Sequence, residues 1–280
     1  MNVSDFELIA QLLKERSGLA LSKDKAYLLE SRLNPVARKW NFAGFDELAQ
    51  AVRAGRDEAL LVEVTEAMTT NESFFFRDQK PFEQFTGMVL PHLLENRKNQ
   101  RSFRIWSAAC SSGQEPYTLA MLLKENAAKL EGWKVDIVAT DLSNQILDKA
   151  RAGLYSQFEV QRGLPITLLV KYFKQTGERW QIDEGIRKMV KFQKFNLLDS
   201  MKPLGRFDVV FCRNVLIYFD PPTKSKILAN VAEQMPADGF LYLGGAETVL
   251  GTTDRFQVLT GQRGIYTLAG DGQTPVRAAG

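Results

Sequence analysis

The sequence predicts an α/β protein built on a mostly parallel sheet with helices on both faces and an antiparallel C-terminal edge. Three observations predict it. From residue 103 to 247, short apolar β-rich runs alternate with helical stretches, the pattern of a parallel sheet covered on both sides. FQVLTGQRGIYTLA (256–269) reads as a closing hairpin, which adds an antiparallel edge. Residues 1–70 show helical periodicity only, so a separate all-α domain precedes the sheet.

Bulk properties agree. The chain has 280 residues, 45% hydrophobic and 25% charged, ordinary for a soluble globular protein with a sizeable core. Its net charge of +3 makes no case for nucleic-acid binding. Cys110 and Cys212 lie far apart without CxxC spacing, which argues against structural zinc or a disulfide scaffold and fits a reducing cytosol. His92 is the only histidine, so no metal cofactor is expected. MNVSDFELIA has no basic region followed by an apolar core, so no signal peptide is expected, and no run approaches the ~18 apolar residues of a membrane span. A cytoplasmic monomer that neither inserts in a membrane nor binds nucleic acid is expected.

The N-terminal helices come first. VSDFELIAQLLKERSG opens with a candidate capping box, Ser4 with Glu7, and carries an apolar stripe of Phe6, Ile9, Leu12 and Leu13. Gly18 is placed to end it. A second helix is expected over 23–33, stopping before Pro35. A third covers 45–54, ended by Gly55, and a fourth covers 57–68. Domains are expected at 1–70 and 101–269, joined by a linker or lid with a connecting helix over 71–100. In the second domain, strands are expected at 103–109, 135–141, 190–196, 207–214 and 239–247, with helices at 115–129, 143–152 and 221–235. A subdomain over about 155–190 delays the third strand, with ERWQID and RKMVKFQ as its strand-like runs. The tail GDGQTPVRAAG (270–280) reads as disordered.

Ligands of open parallel sheets sit at the carboxyl ends of the strands. SAACSSGQEP (107–116), after the first strand, offers small residues and Gly113 for close backbone approach. It is neither GxGxxG nor GxxxxGK[ST]. Asp141, ending the second strand, suits either ribose hydroxyls or a helix N-cap. Glu115 suits either a ligand ammonium or the positive end of a helix dipole. FNLLD (195–199) offers the amide of Asn196 to a base edge. CRNVLIYF (212–219) sets Arg213, Asn214 and Tyr218 among apolar residues, which packing alone does not explain. The pattern is an adenosine site without a phosphate cradle. It points to S-adenosylmethionine.

The motifs TTNESFFFRD, IWSAACSSGQEPYTLA, ATDLS, FNLLD, VVFCRNVLIYF and GGAE, in this order, resemble the CheR family of chemotaxis receptor glutamate methyltransferases over nearly the whole chain. The resemblance implies a Rossmann-like S-adenosylmethionine-dependent methyltransferase sheet. It implies methyl transfer to the γ-carboxylate of glutamates on the cytoplasmic helical bundle of chemoreceptors, leaving S-adenosylhomocysteine. It assigns Asn71, Ser73, Arg77, Glu115, Asp141, Asn196, Leu197, Arg213 and Asn214 to the cofactor, Ser73 standing where many members carry Thr. Arg77 and Tyr218 become the catalytic pair, and Arg32, Arg38 and Lys39 a receptor-facing basic set. The short YFKQTGERWQID stretch, with Gly177 alone, resembles members that do not dock on a receptor's C-terminal pentapeptide. Rival readings are a methyltransferase of another carboxylate or protein, a catalytically silent cofactor-sensing adaptor, and a nicotinamide oxidoreductase.

Overall fold

A computed structural model of the protein describes residues 3–270. The expected disordered tail, beyond residue 270, lies outside the described residues. The described residues divide into two compact units: 3–70 with 218–224, and 71–217 with 225–270.

The first unit is helical. Its helices are α1 (Val3–Ser17), α2 (Ala26–Lys39), α3 (Phe45–Ala54) and α4 (Glu58–Met68). Each gives its apolar stripe to one core that includes Ile9, Leu13, Leu33, Leu48 and Val64. Gly18 and Gly55 terminate α1 and α3 in left-handed conformations, φ 78° and 60°. Asp57 caps α4, its carboxylate accepting the N–H groups of Ala59 and Leu60. Two expectations fail here. The capping box does not form, because α1 starts at Val3 and Ser4 lies inside it, its hydroxyl accepting from Arg53. Pro35 does not end α2, which runs on to Lys39. Val36 and Ala37 are buried in the core, and that burial outweighs the backbone hydrogen bond proline cannot donate.

The second unit starts with a non-repetitive segment, then α5 (Lys80–Gln84), a π turn over Phe85–Val89, and α6 (Leu90–Asn96). The sheet follows through β1 (Ser102–Ala108), α7 (Gln114–Glu125), β2 (Lys134–Asp141) and α8 (Asn144–Ala152). The insertion comes next, as β3 (Leu154–Ser156), α9 (Gln157–Gln161), α10 (Ile166–Tyr172), β4 (Phe173–Thr176), β5 (Arg179–Ile182) and α11 (Glu184–Arg187). The main sheet resumes with β6 (Val190–Lys194), β7 (Val209–Phe211), α12 (Pro221–Glu233), β8 (Phe240–Tyr242), β9 (Phe256–Val258) and β10 (Ile265–Leu268). Strand order is β6-β2-β1-β7-β8-β10-β9. The first five strands are parallel, and β10 and β9 add antiparallel, as expected. The chain leaves β1 toward β2 and β6, then crosses back to β7 on the other side, so the switch point lies at the carboxyl end of β1.

The insertion is a separate three-stranded sheet of order β3-β5-β4. ERWQID supplies β5 as expected, but RKMVKFQ does not belong here. Its residues form the end of α11 and main-sheet β6, while β3 and β4 complete the small sheet. Those two strands are three and four residues long, too short for a periodic signal.

His92, on α6, meets the Phe240 ring edge-on at 5.2 Å and bonds Asn96 at 2.7 Å. Burial pulls its imidazole below the ordinary pKa of about 6.5, against the opposing charge of Asp238. The neutral form is thus favoured in the native state. The unfolded chain takes up the proton first, so this contribution to stability is complete above pH ~6.5 and is lost as pH falls through the native pKa. As the only histidine, it gives one imidazole signal by NMR, expected to titrate below ~6.5 in the folded protein and near it in urea. A folded-state value above 6.5 would contradict the packing.

Candidate active site

The carboxyl ends of β6, β2, β1, β7 and β8 carry most of the candidate residues. After β1 the backbone turns sharply, with positive φ at Ala109, Ser111 and Gly113 (52°, 52° and 91°). Only Gly113 adopts this region without strain. A Cβ there would also press on Tyr117 and Ala150 at 3.1–3.2 Å. The turn is held from several sides. The Cys110 N–H donates to the Thr140 carbonyl at 2.9 Å, and the Ser111 N–H donates to Asp141 Oδ2 at 2.9 Å. The Ser111 hydroxyl donates to the Asn71 carbonyl at 2.8 Å. Tyr155, fully buried on β3, donates its phenol to the Ser112 carbonyl at 2.8 Å.

Asp141 therefore both orders the β1–α7 loop and stays at the strand end. Its Oδ1 also accepts the Ser143 N–H at 3.1 Å. The helix cap that the sequence left open for Asp141 falls instead to Ser143, whose hydroxyl accepts the Ile146 N–H. Asn196 follows β6 beside it, the Phe195 N–H bonding the Asp141 carbonyl at 2.9 Å. The Asn196 side chain accepts the Leu198 N–H at 3.1 Å, and Leu197 is buried.

Arg213 ties a second group together. Its side chain is 1% exposed. One terminal nitrogen donates to Glu115 Oε2 at 2.9 Å; the other reaches Asp78 Oδ2 at 2.7 Å and the Arg77 carbonyl at 2.8 Å. Ser107 holds the other oxygen of Glu115 at 2.8 Å. The Arg213 guanidinium lies 5.5 Å from the Phe82 ring centroid. Asp78 and Ser107 were not singled out in the sequence; only the acid beside Arg77 in FFFRD hinted at the former.

The three phenylalanines of TTNESFFFRD enter three surroundings. Phe75 is buried, edge-on to Tyr155 at 5.0 Å and to Phe173 at 5.5 Å. Phe76 meets Phe82. Phe74 lies under the Arg162 guanidinium at 4.3 Å and near Arg77 at 5.5 Å. Arg162 also pairs with Glu72 at 2.7 Å, and Arg77 donates to the Glu72 carbonyl at 2.9 Å. Ser73 is half-buried.

Asn214 takes a left-handed conformation, φ 58°, in the loop after β7. That loop is gathered by Glu247, whose part the sequence gave no reason to isolate beyond the GGAE motif. Tyr218 and the basic set belong to the first unit. Arg32 donates to the Met68 and Thr69 carbonyls and to the Thr70 hydroxyl, clamping the end of α4. Lys39 pairs with Glu63 at 2.8 Å, and Arg38 is exposed.

This donor set fits an adenosyl amino acid. Carboxylates at Asp141 and Glu115 suit a ribose diol and an ammonium, each carboxylate having acceptor sites for about four donors. Burial pushes the Cys110 thiol pKa well up, helped by Asp141 and Glu115, which favours the protonated thiol. Among the described residues no cluster of three or more His, Cys, Asp or Glu could hold a metal, and no helix is long and apolar enough to cross a membrane.

A parallel sheet with an acid ending its second strand and a small-residue turn after the first suits an S-adenosylmethionine-dependent methyltransferase. The comparisons with known proteins agree. Residues 71–265 match the family described as CheR methyltransferase, SAM binding domain, and residues 4–69 match its all-alpha domain. The chain belongs to the CheR methyltransferase family. It is 43% identical to chemotaxis protein methyltransferase 1 of Pseudomonas aeruginosa over 94% of this chain and 96% of that one. It is 41% identical to the chemotaxis protein methyltransferase Cher2 of Pseudomonas putida, over 93% and 96%. It is 39% identical to chemotaxis protein methyltransferase 1 of Vibrio cholerae, over 95% and 97%.

Replacing Arg213 by alanine leaves the largely buried Glu115 without its charged partner beside a cavity, while Asp78, half exposed, falls to solvent. The expected loss is about 3–5 kcal/mol, the range for breaking a buried ion pair from one side. Denaturant unfolding of Arg213→Ala checks it; wild-type stability would remove the ion triad from the structure's framework.

Proposed function

We propose that the chain methylates the γ-carboxylate of glutamates on the cytoplasmic helical bundle of chemoreceptors, as a cytoplasmic monomer. The observation that carries this reading is that both family segments, 4–69 and 71–265, follow one another in a single chain. The relatives named for chemotaxis align with more than nine-tenths of it.

S-adenosylmethionine, when bound, supplies an electrophilic methyl on its sulfonium; transfer forms an ester O–CH3 bond as the S–CH3 bond breaks, leaving S-adenosylhomocysteine. The acceptor glutamate has an ordinary pKa of about 4.3, so it is already anionic at neutral pH and asks for no general base. What this chain must supply is position. In this reading Asp141 accepts from the ribose, and Glu115, fixed between Ser107 and Arg213, receives the ammonium. Asn196 and Leu197 border the adenine, Asn214 adds a further contact, and Asn71 and Ser73 approach from the opening segment. Arg77 keeps N–H groups beyond the one it gives to the Glu72 carbonyl, and these orient the incoming carboxylate. The family motif alone assigns Tyr218 to the acceptor side and Arg32, Arg38 and Lys39 to the receptor. The contacts of Arg32 and Lys39 within their own unit leave Arg38 as the most available of the three.

The β4–β5 hairpin turns tightly at Gly177, φ 60°. Only residues 177 and 178 connect the two strands, without a glycine-rich insertion, which supports a mode independent of a receptor pentapeptide. Calorimetry with such a peptide is expected to show no binding; a micromolar isotherm would reverse this point.

The test of the function is transfer of labelled methyl from S-adenosylmethionine to receptor cytoplasmic fragments. Base-labile label on receptor glutamates is expected with the wild-type chain. Arg77→Ala is expected to lower kcat/KM about 10²-fold or more, as loss of one oriented charge-stabilising donor does. No label on any receptor fragment, with cofactor bound, would move the reading to another acceptor.

A further inference from the structure

We infer that Glu247 is a positioning residue for the cofactor site, acting as a built-in anion that sets the loop carrying Arg213 and Asn214. The inference rests on the S-adenosylmethionine reading above and goes beyond it, to a side chain that touches the loop and not the ligand.

The observation is a convergence of backbone donors. Glu247 Oε2 accepts the N–H of Asn214 at 2.7 Å and of Gly244 at 2.6 Å. Its Oε1 accepts the N–H of Val215 at 2.9 Å and of Ile217 at 3.3 Å. Three of these donors belong to the loop after β7 and one to the loop after β8, so one carboxylate fastens together two neighbouring strand ends. The loop after β7 has no helical or sheet partner for these N–H groups at its start. Without Glu247 they would need water or a rearranged backbone. Charge-assisted bonds of this length are roughly twice as strong as neutral ones.

The geometry leaves little slack. Asn214 sits at φ 58°, a left-handed conformation that asparagine adopts more readily than most non-glycine residues. Gly244 lies against both partners. A Cβ there would come within 2.6 Å of Asn214 Oδ1 and 2.7 Å of Glu247 Oε2. The amide of Asn214 is therefore packed over the Gly244 backbone with the carboxylate beside it. Glu247 and Gly244 together fix where the Asn214 side chain points. Immediately before Asn214 in the chain, Arg213 makes the bonds to Glu115 and Asp78, so the same fastening bears on the far side of the site.

The experiment measures S-adenosylhomocysteine binding by calorimetry and thermal unfolding on the same full-length preparations. Glu247→Gln keeps the volume and one acceptor oxygen but loses the other. It is expected to weaken binding about 10-fold, and Glu247→Ala more, with the calorimetric stoichiometry held at one. Gly244→Ala attacks the same point from the opposite side and is expected to weaken binding comparably, so the idea survives should one variant fold badly. Acting through the loop, Glu247→Gln should add little to Asn214→Ala in the double variant. Unchanged affinity in folded Glu247→Gln, or full additivity with Asn214→Ala, overturns the assignment. Failure of the wild-type chain itself to bind S-adenosylhomocysteine is a different result, and defeats the cofactor reading on which it stands.

Discussion

One buried guanidinium organises the second unit's site. Arg213 takes both an acid from the helix after β1 and an acid from the segment that opens the unit, and adds the Arg77 carbonyl. A lone arginine sunk this far would carry a prohibitive desolvation cost. Two carboxylates offset it, and the cost in turn makes the arrangement all-or-none. Glu115, Asp78 and the path of the chain through Arg77 share one partner and hold one another in register. Its Nε remains without a hydrogen bond among the described residues, so the geometry is set by the two terminal nitrogens alone.

Around that charge cluster the remaining order is supplied by backbone groups meeting side-chain anions. Asp141 takes the Ser111 and Ser143 N–H groups; Glu247 takes four more. Loops that cannot satisfy themselves by helix or sheet bonds are thus satisfied by acids standing at strand ends. The scheme explains how turns with positive φ at Ser111 and Asn214 persist. It also keeps the site's polar groups oriented in advance of any ligand, which lowers the reorganisation needed on binding.

Much of this was readable from the residues. β1 and β2 are buried at consecutive positions toward their carboxyl ends because both faces are covered there, and the acid ending β2 fell where the sheet rule placed it. The terminal hairpin was signalled by its own alternation. What escaped did so for physical reasons. Local rules place a helix end before Pro35, yet the pull of Val36 and Ala37 into the core decides the matter, and burial is not a local property. β3 and β4 gain their hydrogen bonds from β5 rather than from any pattern of their own. Glu247 and Asp78 act on partners 33 and 135 positions away in sequence, a relation no spacing rule encodes. Arg32 looked like part of a charged face, whereas its nitrogens serve the carbonyls at the end of α4.

The close approach of Gly163 to the opening segment carries a consequence for how such chains can vary. A Cβ at that position would stand 2.1 Å from the Phe75 carbonyl oxygen and 3.3 Å from the Phe74 ring, and φ is 85°. The insertion is therefore not an interchangeable module. Its α9–α10 turn and the phenylalanine run are cut to each other's shape, with Arg162 paired to Glu72 beside them. Recombination that exchanges the insertion between relatives would have to carry residues 72–76 along with it. The two stretches, far apart in the gene, are inherited as one fitted joint.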